Sequence, residues 1–149
     1  MKIEVFVDGT SVIERDISPY DSYPGVTASG FFNLGILGEW VVQQKLLFLG
    51  IDYIIPTYSS PYDIILTQAR KFIEVKTAQQ GFTKVGAYRT ASYAFNLKSK
   101  RADYLILWAV DINTFYIMST NQLCIGVNRV YPNAKRWKQA ENNWQRLQS

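Results

Sequence analysis

Ser60-Pro61-Tyr62-Asp63-Ile64-Ile65-Leu66 and, four residues on, Lys71-Phe72-Ile73-Glu74-Val75-Lys76-Thr77-Ala78-Gln79 are two apolar, β-branched runs on either side of Thr67-Gln68-Ala69-Arg70. Runs of this kind around a short polar link predict a hairpin of two antiparallel strands. Strand side chains alternate between faces, so Ile73, Val75 and Thr77 point one way and Glu74 and Lys76 the other. Asp63 stands where the first strand begins, and a hairpin of this length brings it close to Glu74. Two carboxylates and one ammonium then converge on an otherwise apolar sheet. Charges taken out of water are costly unless they are paired or bind a metal. A chain that places them there is expected to use them.

Pro61…Asp63 followed by Glu74-x-Lys76 resembles the core motif of the PD-(D/E)xK nuclease superfamily, with Tyr62 standing between the proline and the aspartate. The order of elements agrees as well. A helical stretch carrying Gly38-Glu39 comes before the Asp strand, and Gln79-Gln80 follow the strand that bears the lysine. The resemblance covers roughly residues 34–118. It implies an α/β fold of restriction-endonuclease type, a mixed sheet flanked by helices, with an added N-terminal β-hairpin. Within the superfamily, size and layout are most similar to the small intron-encoded homing endonucleases.

A length of 149 residues fits a single domain with one core. The apolar fraction of 48% and charged fraction of 19% belong to a globular chain and exclude a disordered one. No apolar run reaches the ~18 residues that a membrane span needs, and no signal peptide opens the chain. One cysteine, Cys124, excludes an internal disulfide framework, which fits an intracellular setting. The absence of histidine decides more. It removes Ser-His-Asp and Cys-His nucleophile systems and zinc sites built on imidazole. A hydrolase made from this chain has to work with carboxylates, lysine and a hard metal bound through oxygen. The net charge of +4 permits nucleic-acid binding without demanding it.

Asp8-Gly9 lies between Lys2–Val7 and Thr10–Arg15, the pattern of a hairpin closed by a type I′ turn. This segment is an edge extension of the sheet, a dimer surface or a DNA-reading ribbon. Residues 17–29 read as a loop. A helix is expected over 31–49, ended by Gly50; it is apolar nearly all round, and Glu39 faces inward. Residues 51–55 form a short strand. The stretch 79–89 is glycine-rich and mildly basic. Tyr93–Leu97 is a strand or a helical turn, and 98–101 a basic turn. Residues 103–110 form a strand apolar on both faces, as in a sheet covered on both sides. Asp111–Thr114 turns the chain back into a strand over 115–118. The tail over 133–147 has a helical pattern, with Asn133 as cap and Trp137 and Trp144 on one face.

The superfamily resemblance implies a set of roles. Asp63, Glu74 and the carbonyl of Val75 hold Mg²⁺, with Mn²⁺ able to substitute, and Glu39 binds a second metal, directly or through water. Lys76 holds the attacking water or stabilises charge, and Gln79 orients Lys76 or a phosphate. Read from the basic residues themselves, Lys84, Arg89, Lys98, Lys100 and Arg101 are the expected contacts to double-stranded DNA, with a solvated turn as the alternative for 98–101. One such set cuts one strand, so cutting both implies a homo-oligomer, a dimer or a tetramer. The 31–49 helix, the added hairpin and the Trp137/Trp144 face are the expected contacts. A Holliday-junction resolvase shares every one of these features, and a non-catalytic DNA-binding module on the same fold is the reading from a different class.

Overall fold

The structure is a computed structural model that describes Lys2–Val7, Ser11–Asp16 and residues 34–57 and 59–148. Its centre is β5 (Lys71–Ala78), which pairs antiparallel with β4 (Ile64–Leu66) and parallel with β8 (Tyr104–Ala109). β3 (Tyr53–Ile54) and β9 (Thr114–Ser119) complete a mixed five-stranded sheet in the order β3-β4-β5-β8-β9. The hairpin expected at Asp63–Glu74 is present. Its register runs from Leu66↔Lys71 to Ile64↔Ile73, and Arg70 closes the turn with a φ of 53°.

Parallel strands need a crossover of a dozen or more residues, usually a helix. Here residues 79–103 make that crossover from β6 (Gln80–Val85) and β7 (Tyr88–Leu97), which join β10 (Gly126–Val130) in an antiparallel three-stranded sheet. Tyr93–Leu97 is therefore strand. Tyr93, Phe95 and Leu97 are buried and alternate with exposed Ala94 and Asn96, the period of a sheet with one wet face. The expectation of helices flanking the sheet holds on one side, where α1 (Leu34–Phe48) lies. The three-stranded sheet, with short α2 (Lys135–Ala140), covers the other.

The two coverings explain the sequence of β8. Ile106 and Trp108 join a core with Leu37, Val42, Ile73 and Val75 on the α1 side. Leu105, Leu107 and Ala109 join Tyr93, Phe95 and Tyr116 on the other. The strand is apolar throughout because neither of its faces meets water.

The tail departs from the expected helix over 133–147. α2 starts after Ala134, not Asn133, and ends at Ala140; a 3₁₀ turn follows at Trp144–Leu147. Between them Asn142 adopts a φ of 49°, a left-handed conformation that asparagine tolerates. Its amide donates to the Phe115 carbonyl at 2.6 Å, and its side-chain oxygen accepts from the Phe115 amide at 3.1 Å. The tail thus breaks its helix to satisfy the open edge of β9, a border that otherwise invites foreign strands. Trp137 (3% exposed) packs in the core on one side of the sheet and Trp144 (8%) in the core on the other. They do not share a face and offer no surface to a second subunit.

At the N-terminus, β1 (Lys2–Val7) and β2 (Ser11–Asp16) pair antiparallel as a separate two-stranded sheet. Among the described residues the hairpin pairs with neither larger sheet, so the expected edge extension is not seen there. The last pair, Val7↔Ser11, leaves three residues between the strands instead of the two of a type I′ turn; the turn itself and the 17–29 loop lie outside the described residues. No described helix is long and apolar enough to cross a membrane.

α1 meets β5 at Gly38. A Cβ there would stand 1.8 Å from Thr77 Oγ1 and 3.2 Å from Thr77 Cβ, with Trp108 at 3.6 Å behind. Only a residue without a side chain lets the helix seat against the strand. Gly38→Ala is expected to destabilise the fold by about 1–3 kcal/mol, the typical cost of overpacking. Adding Thr77→Ala removes the oxygen in the way and lets alanine's better helix propensity, about 1 kcal/mol, count. Urea denaturation should show the double variant recovering most of the loss; equal instability of the two would contradict the packing account.

Candidate active site

The site forms where β4 leaves β5. Continuing the Ile64↔Ile73 register would set Asp63 across from Glu74, but the paired strand ends at Ile64. The Val75 amide, turned toward that side, loses its ladder partner there. A buried N–H cannot be left orphaned, and Asp63 Oδ2 accepts it at 2.7 Å, while the Asp63 amide donates to the Ile73 carbonyl at 3.0 Å. The aspartate at the start of the strand is therefore held on the edge of β5 by the backbone of that strand.

Glu39 arrives from α1, one residue past the close approach at Gly38. It is half-buried and hydrogen-bonded side chain to side chain with Asp63. Burial is the main influence on it, followed by the Asp63 charge and that hydrogen bond. Together they push its carboxyl up to about 7, against the smaller opposing pull of the Lys76 ammonium. Two carboxylates this close cannot both ionise cheaply. Glu39 holds the proton and donates it to Asp63 over much of the acid range.

Glu74 and Lys76 stand on the other face of β5 from buried Ile73 and Val75. Lys76 Nζ lies 3.0 Å from Glu74 Oε1, with the side chains 29% and 18% exposed. Just past the end of the strand, the Gln79 side-chain nitrogen is buried and has no hydrogen-bond partner among the described residues. An unsatisfied buried donor costs about 1–3 kcal/mol, so Gln79 presents a donor ready for an acceptor.

Of the five residues expected to act together, the structure pairs Glu39 of α1 with Asp63 and pairs Glu74 with Lys76 on β5, while Gln79 follows the end of that strand. Among the described residues no three acidic side chains close around one point. The donors nonetheless suit a hard divalent cation, because Mg²⁺ takes one or two carboxylates and keeps water elsewhere. Asp63 and Glu39 share a place where a cation could replace the shared proton, and the Val75 carbonyl belongs to the residue whose amide Asp63 already holds.

The basic residues expected at DNA separate into two groups. Lys84 and Arg89 are register partners on β6 and β7, a ribbon exposed from Gly81 to Thr90 wherever its side chains are described. The Arg89 guanidinium lies over the Phe82 ring at 4.4 Å. Lys98, Lys100 and Arg101 are exposed beyond the end of β7, and the last two line a cavity at the start of β8. Sequence reasoning left that cavity's other cation, Lys71, unremarked, since a lysine opening a strand carries no signal of its own.

No family model matches the chain, and no curated protein matches it. Among solved structures its fold is similar to that of a bacterial homing endonuclease, I-Ssp6803I, with a TM-score of 0.55 and 13% sequence identity. The likeness covers 77% of this chain and 89% of that one.

The shared proton gives a pH dependence with a definite sign. Folding raises the Glu39 pKa from 4.5 to about 7, so between those values the folded state binds more protons than the unfolded one. Stability from this group is then full below about pH 4.5, falls as pH rises through 7, and is level above. Urea midpoints of the parent and Glu39→Gln should differ in slope across that window, with the variant flatter. Parallel profiles would show that Glu39 is not the group responsible.

Proposed function

We propose that this chain is a metal-dependent DNA endonuclease of the homing-endonuclease type, and that Asp63, Glu74, Lys76, Glu39 and Gln79 form its catalytic site. The observation that carries the reading is the Asp63 carboxylate, anchored on the Val75 amide and joined there by Glu39. The fold likeness to a homing endonuclease supports it. So does the lack of histidine, which leaves carboxylates, lysine and a hard cation as the means of hydrolysis.

A divalent cation at this site supplies Lewis acidity, offsetting phosphate charge and easing removal of a proton from water. Asp63 and Glu39 would hold it with the Val75 carbonyl, and Glu74, paired with Lys76, would act through the cation's water shell. Lys76, whose Nζ lies 3.0 Å from Glu74 Oε1, orients the attacking water and stabilises negative charge on the phosphate oxygens. Gln79 donates its side-chain N–H, which has no partner among the described residues, to a phosphate oxygen. Lys84 and Arg89 on the exposed ribbon and Lys98, Lys100 and Arg101 beyond it hold the duplex. A two-stranded ribbon fits the major groove.

One catalytic set per chain makes concerted cutting of both strands the work of two or more chains. With both tryptophans buried, the remaining candidate contacts are the N-terminal hairpin and the exposed end of α1, where Leu47 and Phe48 meet solvent.

Lys76→Met keeps the stem of the side chain and removes its charge, so duplex binding should persist while cleavage falls by at least about 100-fold, the scale of a lost acid–base or electrostatic group. Asp63→Asn and Glu74→Gln should stop turnover and weaken Mg²⁺ or Mn²⁺ binding. Gel assays on supercoiled plasmid, linear duplex and four-way junctions, with and without EDTA, test these together. Normal cutting in EDTA would refute the metal dependence, and a preference for junctions would move the substrate from sequence to shape. Light scattering is expected to show a dimer or tetramer; a monomer that makes concerted double-strand breaks would contradict the assembly.

A further inference from the structure

Two adjoining cavities, about 200 and 410 Å³, lie across the end of the central sheet at which β5 and β8 begin and β9 finishes. They share Tyr104 and Ser119. Lys71, Lys100 and Arg101 line the first, and Arg146 lines the second. Among the described residues of the lining the one carboxylate is Asp103, and its Oδ2 is engaged by the Phe72 amide at 2.8 Å. The described lining of the first cavity thus carries three cations, Lys71, Lys100 and Arg101, to one carboxylate.

Basic turns are commonly just solvated, but this one is fixed. The Asp103 amide donates to the Phe72 carbonyl at 2.8 Å, which with the reverse bond clamps the turn to β5. Thr120 clamps it to the end of β9: its amide donates to the Asp103 carbonyl at 3.1 Å and its hydroxyl to the Ala102 carbonyl at 2.5 Å. The Lys71 ammonium lies 5.9 Å from the Tyr104 ring centre, and Arg146 Nη1 donates to the Ile117 carbonyl at 2.9 Å. The residues that carry Arg101 and Lys100 are thus anchored on two strands, so part of the ordering cost of binding is met in advance.

We infer that this groove is a second phosphate-binding site, which grips the backbone of double-stranded DNA away from the catalytic residues. The inference rests on the endonuclease reading. Lys71 and Glu74 are three residues apart on β5, ~10 Å at about 3.3 Å per residue. DNA places a phosphate every 3.4 Å of axis on each strand, so a duplex at the catalytic edge reaches the groove within about three base steps. The alternation of β5 puts Lys71 on the face of Ile73 and Val75, the face that α1 covers and from which Glu39 approaches. Because the groove meets phosphates and not base edges, it positions the duplex without reading it.

The test is binding of a fluorescein-labelled, random-sequence duplex by the Lys76→Met protein across roughly 50–200 mM salt. Lys71→Gln/Arg101→Gln in that background should flatten the plot of log affinity against log salt by about 0.9 for each phosphate that the variant no longer neutralises. Lys71→Arg should restore its share because it keeps the charge. Lys135→Gln, an exposed lysine on α2, should leave the slope as it was, and circular dichroism checks that each variant is folded. An unchanged slope in a folded double variant, with the parent binding and cutting DNA, overturns the groove and leaves the endonuclease reading intact. A parent that neither binds nor cuts duplex overturns the reading and this inference together.

Discussion

A single hydrogen bond, from the Val75 amide to Asp63 Oδ2 at 2.7 Å, closes the point where the central sheet divides. β4 follows β5 as far as Ile64 and then leaves it, so the next amide of β5 on that side needs an acceptor. An aspartate supplies it. Hydrogen bonds to a charged acceptor contribute about 1.5–3 kcal/mol, more than a neutral ladder bond. Finishing the strand and fixing a carboxylate on an open sheet edge are thus one event. The rest of the site depends on it: Glu39 has a partner only because Asp63 is held there, and α1 brings Glu39 within reach only because Gly38 allows the helix to seat on Thr77.

The site keeps groups that a fold selected for stability alone would discard. Glu39 and Asp63 share a hydrogen bond that requires one of them to be protonated. Thr77 Oγ1 and the Gln79 side-chain nitrogen are buried with no hydrogen-bond partner among the described residues. Around them the two apolar layers on β8 supply the stability that carries these costs, with Leu105, Ile106, Leu107 and Ala109 fully enclosed. Local rules broken beside a well-packed strand are the kind of exception expected at functional or strained sites.

What could be read from the sequence follows from how each element is buried. The β4–β5 hairpin and β8 announce themselves because their apolar periods match the faces they bury, and α1 does so through its length and Gly50, which closes it at a φ of 70°. β6 and β10 carry no such signal. β6 lies in an exposed ribbon, and β10 buries only Val130 fully, so neither has a full apolar stripe. The tail misleads because Trp137 and Trp144, seven apart, imitate a helical face, while Asn142 turns the chain around the edge of β9. For the site, Asp63, Glu74 and Lys76 are legible as a spacing. Gly38 is not, because a glycine in a helix looks like a weakness until the strand beneath it is known. Lys71 and Arg146 share a groove only through tertiary structure.

The central claim is that the divided sheet edge makes a cation site from Asp63 and Glu39. Proton release on adding Mg²⁺ or Mn²⁺ to the protein in weak buffer tests it most directly, read by calorimetry in buffers of different ionisation enthalpy. With Glu39 near 7, binding at pH 6 should displace close to one proton per chain, fading to almost none by pH 8, and Glu39→Gln should release none at either pH. Cation binding with no proton released at pH 6, or the same release from Glu39→Gln, would contradict it.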